Sequence, residues 1–221
     1  MTAPATRLER ESFPLILAAP SGAGKTSIAR ELAVRRNDVE FSVSWTTRAP
    51  RHGETNGADY YFRSEEEFRA EVAAGGLLEW AEVHGQLYGT PRANLEQARQ
   101  RRHLLLLDID VQGSRQIKQS VPEAVSIFVL PPNVEELSRR LRRRGSEAED
   151  ARRRRLLTAR EELGAAGEFD YLIVNEQLSD AVAAVEAIVE AEYLRTRRIT
   201  GLRPFVAGLV AGIDATLSPR E

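Results

Sequence analysis

Apolar residues in this chain come in short unbroken runs, separated by longer stretches with helical spacing. Residues 15–19, 39–43, 103–108, 125–130 and 171–174 each read as a strand. These runs lack the alternation of a half-exposed sheet, so they suit strands buried on both faces, as in parallel sheets. Between them the spacing predicts helices over 27–36, 94–102, 112–119, 134–143, 152–163 and 179–197. Strands and helices in turn predict the α/β class, with a doubly wound parallel sheet as the core.

The rhythm breaks between residues 44 and 90. Short aromatic and charged runs at 59–63 and 77–83 flank one helical pattern at 64–74, with Gly and Pro between them. This predicts a small inserted domain of mixed strands and helix, facing the carboxyl ends of the sheet strands where α/β ligands sit. The expected organisation is a loose extension at 1–12 and a core of 13–43 plus 91–198. An arginine-rich lid at about 142–156 belongs to the core, 44–90 is the insert, and 199–221 is the tail. In the tail Leu202, Phe205, Val206, Leu209, Val210 and Ile213 recur at helical spacing. That stripe needs a partner, either the chain's own domain or a second subunit of a homo-oligomer.

Composition narrows the function classes. A 221-residue chain with 42% hydrophobic and 29% charged residues reads as a soluble globular protein. A net charge of −2 argues against a general nucleic-acid surface. The chain has no cysteine, which excludes disulfides and thiolate chemistry and fits a reducing cytosol, so a cytoplasmic protein is expected. No apolar run approaches the ~20 residues of a membrane span, and the polar start has no signal-peptide core. His52, His84 and His103 have no ligand-like spacing.

The first candidate chemistry is Ala19-Pro20-Ser21-Gly22-Ala23-Gly24-Lys25-Thr26-Ser27, between the first strand and its helix. Strand, glycine loop, lysine, hydroxyl and helix form a phosphate-cradling arrangement. Gly22 and Gly24 let the backbone turn and aim N–H groups inward, and the helix adds its positive end. Lys25 offers a mobile cation to outer phosphates, and Thr26 offers a hydroxyl to Mg²⁺. Ala19 stands where the pattern has its first glycine, at little cost if its dihedrals are ordinary β. Asp108 ends a buried strand, so it either orders Mg²⁺ or caps the next helix. Asp110, two residues on, is expected on the same strand face. Arg139, Arg140, Arg142, Arg143, Arg144 and Arg152 to Arg155 bracket an acidic stretch. They read as solvated helix faces, as a flap closing over triphosphate, or as a nucleic-acid patch, the last disfavoured by the acids between them. In the insert, Arg48 and Arg51 beside Ser44, Glu54 and Tyr60 suit a phosphate dianion. Glu79, followed by Tyr88 and Thr90, could accept two hydrogen bonds from the N1–H and 2-amino edge of guanine, a donor pair adenine lacks.

Taken in order, the glycine loop, Ser42 to Arg51, Gly85-Gln86-Leu87-Tyr88-Gly89-Thr90, Asp108-Ile109-Asp110-Val111-Gln112-Gly113 and Arg140-Leu141-Arg142-Arg143-Arg144-Gly145 resemble the motifs of guanylate kinases. The resemblance covers roughly residues 13–198. It implies ATP phosphates on the loop from Ala19 to Ser27, with Asn175 near the adenine. GMP phosphate would be held by Arg48, Arg51, Tyr60 and Tyr88, with Glu54 supporting the arginine pair. Guanine would be read by Ser44, Glu79, Thr90 and Asp110, with Asp108 nearby. Arg140, Arg144 and Arg155 match lid arginines that join Lys25 and Arg48 at the transferred phosphoryl group. Mg²⁺ would meet Thr26 and Asp108, partly through water. The implied reaction is ATP plus GMP, or dGMP, giving ADP and the diphosphate. Rival readings are a kinase for another phosphorylated acceptor, a catalytically silent binding module of the same fold, and a nucleic-acid binder.

Overall fold

The structure, a computed structural model, describes residues 7–83, 85–143 and 149–217. In chain order the elements are β1 (Glu9–Arg10), β2 (Pro14–Ala18), α1 (Lys25–Arg35), β3 (Val39–Phe41), β4 (Trp45–Thr46) and β5 (Tyr61–Phe62). Then come α2 (Glu65–Ala73), β6 (Leu77–Val83), β7 (Gln86–Pro91), α3 (Arg92–Arg101), β8 (Leu104–Asp108) and α4 (Val111–Ser120). The chain closes with β9 (Val125–Leu130), α5 (Val134–Arg143), α6 (Glu149–Leu163), β10 (Tyr171–Val174), α7 (Leu178–Tyr193), β11 (Ile199–Thr200) and α8 (Leu202–Leu217). The chain divides into two compact units, residues 13–185 and residues 1–12 with 186–221.

The larger unit is built on a five-stranded parallel sheet in the order β10-β9-β2-β8-β3. Its apolar runs explain it: every residue of β2 is buried, and so are Leu104 to Leu107 of β8. Strands covered on both faces leave no room for alternation. The chain leaves β2 for β3 and β8 on one side and later for β9 and β10 on the other. The loop after β2 therefore sits at the switch point where α/β sheets open a crevice. The register places Leu17 beside Asp108, so the acid ends its strand next to that loop.

The insert forms a second, four-stranded sheet in the order β5-β4-β7-β6. Its core is Phe68 with Leu77 and Leu87, and Trp45 and Val72 pack against it. Ser64 starts α2 with a full capping box to Glu67. A bulge between Leu77 and Glu79 shifts the β6–β7 register and re-aims the strand at Glu79. Gln116 of α4 clamps β6 from the core: its amide accepts from Trp80 N at 3.2 Å and donates to Trp80 O at 2.8 Å.

In the smaller unit, β1 pairs antiparallel with β11, so part of the stretch expected to be a loose extension is a strand. The helix expected to reach residue 197 stops at Tyr193, and a single 3-10 turn follows over Thr196–Arg198. Glu192, 1% exposed, binds the guanidinium groups of Arg195 at 3.0 Å and Arg198 at 3.1 Å and fixes this corner. The tail is helical, as its spacing predicts, but no residue of α8 is buried. Among the described residues no helix is long and apolar enough to cross a membrane.

Phe68 is fully buried and central to the insert. Phe68→Ala should lower stability by about 3–5 kcal/mol, read from urea unfolding followed by circular dichroism. A loss below about 1 kcal/mol would mean the insert has no packed core of its own.

Candidate active site

The glycine loop follows β2 directly. Ala23 N donates to Pro20 O at 3.0 Å, and Gly22 and Gly24 have φ of 90° and 94°. A Cβ on Gly24 would lie 2.3 Å from Asn175 Nδ2, so both the dihedral and the close approach demand glycine. Asn175 is buried, and its amide donates to Ala23 O at 2.7 Å. It meets the loop through the main chain. Arg140 behaves similarly. Its guanidinium donates to Ala23 O and Asn175 O, each at 3.0 Å, and to Glu136 at 2.6 Å. The paired Arg139 and Arg140 hold the Glu136 carboxyl down to about 2. Arg140 thus braces the loop through backbone carbonyls, and it is not among the residues that line the cleft described next.

Lys25 opens α1. Its ammonium lies 2.8 Å from the Asp108 carboxylate and also donates to Ile109 O. Both Asp108 and Lys25 are largely buried, so the pair is a fixed feature rather than a surface contact. In front of it opens a cavity of about 1040 Å³. Ser21, Thr26 and Ser27 line it from the loop side, with Asp108 at the sheet edge. Ser44, Arg51, Glu54 and Tyr60 line it from the insert, and Arg155 and Thr158 from α6. Thr26 and Asp108 bring a hydroxyl and a carboxylate to one side of this space. That set suits Mg²⁺ arriving on a triphosphate, which keeps several of its waters. Among the described residues no cluster of His, Cys, Asp or Glu forms a metal cage by itself.

On the insert, Glu54 organises the arginine pair. One carboxylate oxygen takes the Arg48 guanidinium at 2.8 Å and the other accepts from Arg51 N at 2.7 Å. The Arg48 guanidinium beside it holds the Glu54 carboxyl below its usual range, and Glu54 in turn raises Arg48. Arg48 also stands over the Tyr60 ring at 5.4 Å, and Tyr60 meets Tyr88 edge-on at 5.9 Å. Burial, then the charge of Asp108, pushes the Tyr60 phenol up, so it stays protonated as a donor.

Deeper in the insert, Glu79 and Thr90 are cross-strand partners. Thr90 Oγ1 donates to Glu79 Oε1 at 2.6 Å, and Glu79 is 5% exposed. Burial pushes its carboxyl up to about 7, with Asp110 adding to the rise while Thr90 and Lys25 oppose it. A Cβ on Gly113 would come within 2.7 Å of Glu79 Oε2 and 3.4 Å of Asp110 Oδ1, so the two carboxylates converge above that glycine. Asp110 is not on the strand with Asp108, as the two-residue spacing suggested. β8 ends at Asp108, and Asp110 caps α4 by accepting from Gly113 N at 2.7 Å. The helix's free N–H offers this acid a better partner than another turn of strand.

Some contributors escaped the sequence reading. Asn94 donates to Ser42 Oγ at 2.9 Å and Val43 O at 3.1 Å, fixing the entry to the insert. Arg30 of α1 reaches Asp59 of the insert at 2.8 Å. Glu162 of α6 accepts from Ser21 N at 3.0 Å. Its spacing from Arg155 and Thr158, on one helix face, was the available signal. Arg144 lies outside the described residues.

Comparison with known proteins agrees with this geometry. A profile described as guanylate kinase matches residues 11–192. A protein named guanylate kinase from Chelativorans sp. is 44% identical over 209 residues, covering 94% of this chain and 96% of its own. Another of that name from Parasynechococcus marenigrum is 49% identical over 174 residues, covering 79% and 96%. The crystal structure of guanylate kinase from Anaplasma phagocytophilum superimposes with a TM-score of 0.76 at 36% identity, over 91% of this chain and 96% of that one. With the profile matching residues 11–192 and a 44% identical relative covering 94% of its length, this chain belongs to the guanylate kinase family.

Proposed function

We propose that the chain is a cytoplasmic nucleoside monophosphate kinase that transfers the γ-phosphoryl group of ATP to GMP, giving ADP and GDP. The observation that carries this is a single cavity lined by Ser21 and Thr26 of the phosphate loop on one side and by Arg51, Glu54 and Tyr60 on the other. Two phosphorylated molecules fit such a space end to end. The acceptor phosphate is already an anion at neutral pH, so the transfer needs positioning and charge neutralisation more than a base. Unit charges of like sign about 4 Å apart repel by ~1 kcal/mol in water and ~4 kcal/mol in a partly closed site. Lys25 and Arg155 on the donor side, and Arg48 and Arg51 on the acceptor side, offset that repulsion. Thr26 and Asp108 would hold Mg²⁺, partly through water, and the ion would neutralise charge on the triphosphate. Glu79 and Asp110 read the guanine edge, with Ser44 and Thr90 beside them. These groups grip phosphate and base rather than the ribose, so dGMP is an acceptor as well.

The deciding experiment is a coupled ADP-release assay with MgATP and GMP, dGMP, AMP, CMP or UMP. GMP and dGMP should be turned over, the others at least about 100-fold less well, as expected where a buried polar group goes unpaired. Turnover of none would leave a silent binding module. Preference for another acceptor would reassign Glu79.

Lys25→Ala should lower kcat at least about 100-fold while the KM for GMP stays within about threefold, because the ammonium acts on the transferred group. Equal losses in both parameters would remove that division of roles.

Glu79 ties specificity to pH. Its carboxyl moves from 4.5 to about 7 on folding, so the folded state favours the neutral acid. As pH rises from about 4.5 to about 7 the unfolded chain loses its proton first, and stability falls. Relative to Glu79→Gln, wild type should lose about 3 kcal/mol across that window and no more above it, measured by urea unfolding at each pH. The same variant should lose GMP kcat/KM strongly at pH 8, since an amide cannot accept from both guanine donors. Parallel stability curves for the two proteins would place Glu79 in water.

A further inference from the structure

We propose that Glu162 is a positioning residue for phosphoryl transfer: its carboxylate latches the lid helix α6 to the main chain of the phosphate loop and so sets Arg155 over the cleft. This rests on the activity proposed above. The residues Arg155, Thr158 and Glu162 are spaced by three and four, so they share one face of α6. Arg155 and Thr158 line the cavity opposite Ser21 and Thr26. Glu162 reaches the loop itself, accepting from Ser21 N at 3.0 Å across 141 residues of sequence. Next to that face, Ala159, fully buried and four residues from Arg155, packs with Leu137 and Leu141 of α5 and with Leu156. The helix is thus packed against α5 through Ala159 and tied near its end to the loop by a charge-assisted hydrogen bond.

Geometry says what the pin controls. Arg155 lies seven residues from Glu162, about 10 Å or two turns along the axis. Ridge-into-groove packing sets the spacing of two helices and a preferred crossing angle, but with a scatter of about 15–20° that leaves the helix some freedom. The directional bond at Ser21 narrows that freedom, and Ser21 belongs to the segment that holds the phosphates. The bond therefore registers the helix that carries Arg155 against the loop. Burial raises the Glu162 carboxyl, while the Ser21 amide and the nearby Lys25 pull the other way.

The test is a double-mutant cycle on the full chain, with kcat and KM measured for MgATP and GMP in wild type, Glu162→Ala, Glu162→Gln, Arg155→Ala and Glu162→Ala/Arg155→Ala. Misplacing a group by about 1 Å can cost ~100-fold, so Glu162→Ala should lower kcat by about 10- to 100-fold with the KM for GMP within about threefold. Glutamine keeps an accepting oxygen and should restore kcat to within about threefold of wild type. In the Arg155→Ala background, adding Glu162→Ala should cost no more than about twofold. Additive losses, a glutamine variant as poor as alanine, or tighter ATP binding at unchanged kcat would each overturn the latch, the last by making Glu162 a plug on the loop. If wild type phosphorylates no GMP, the parent activity fails instead. Amide hydrogen exchange over residues 153–163 then decides: exchange must quicken in Glu162→Ala and not in Glu162→Gln, and equal protection in all three proteins rejects the latch.

Discussion

A cleft that must accept two polyanions has to hold positive charge in readiness, and positive charge gathered without a counterpart repels itself. The Lys25–Asp108 pair is where this chain meets that constraint most directly. The ammonium is placed by the first turn of α1, and the carboxylate by the end of β8, one strand away in the sheet. The same device recurs around it: Glu54 holds Arg48, and Asp59 holds Arg30. Each cation is kept in one geometry by an acid. Incoming phosphate then meets donors whose orientation is already fixed, and little reorganisation remains when charge shifts during transfer.

The sheet supplies the coordinates for this arrangement. β2 is flanked by β8 and β9, and the chain departs from it in opposite directions, which opens the crevice above its carboxyl end. The insert is bound to the same frame at separate points. Asn94 holds its entry, and Gln116 clamps the strand next to Glu79. The clamp matters because it holds backbone rather than side chain. A strand fixed at Trp80 cannot slide, so Glu79 and Thr90 keep their pairing.

What could be read from the sequence follows the range of the interactions involved. The core strands were legible because burial on both faces writes itself into consecutive residues; β9 and β10 have the limits their apolar runs predict. The glycine loop was legible because its geometry is local. The edges of the insert were not: β7 contains Gly89 and ends at Pro91, and its strand state comes from pairing with β4 and β6. Long-range side-chain contacts were not legible for the same reason. Asn175 meets Ala23 across 152 residues and Glu162 meets Ser21 across 141, distances over which no spacing rule operates. Asp110 was misread because the end of a strand and the start of a helix compete for it. The competition is settled by which free N–H lies closer.

Under the proposed activity, Glu79 carries the discrimination between purines by a cost rather than by an attraction alone. Its carboxylate is 5% exposed, and Thr90 supplies a single hydrogen bond. An ionised carboxylate in that position has accepting capacity left over, and an unsatisfied buried acceptor is expensive. Guanine brings two donors on one edge and relieves that cost. Adenine brings a ring acceptor to the same place and would leave the carboxylate either unpaired or protonated. The raised pKa is the same fact seen without substrate: the site favours a proton because it is built to receive donors. A pocket that selects in this way needs its acid held rigidly and dry. The bulge before Glu79, the clamp at Trp80 and the bare backbone of Gly113 together provide that.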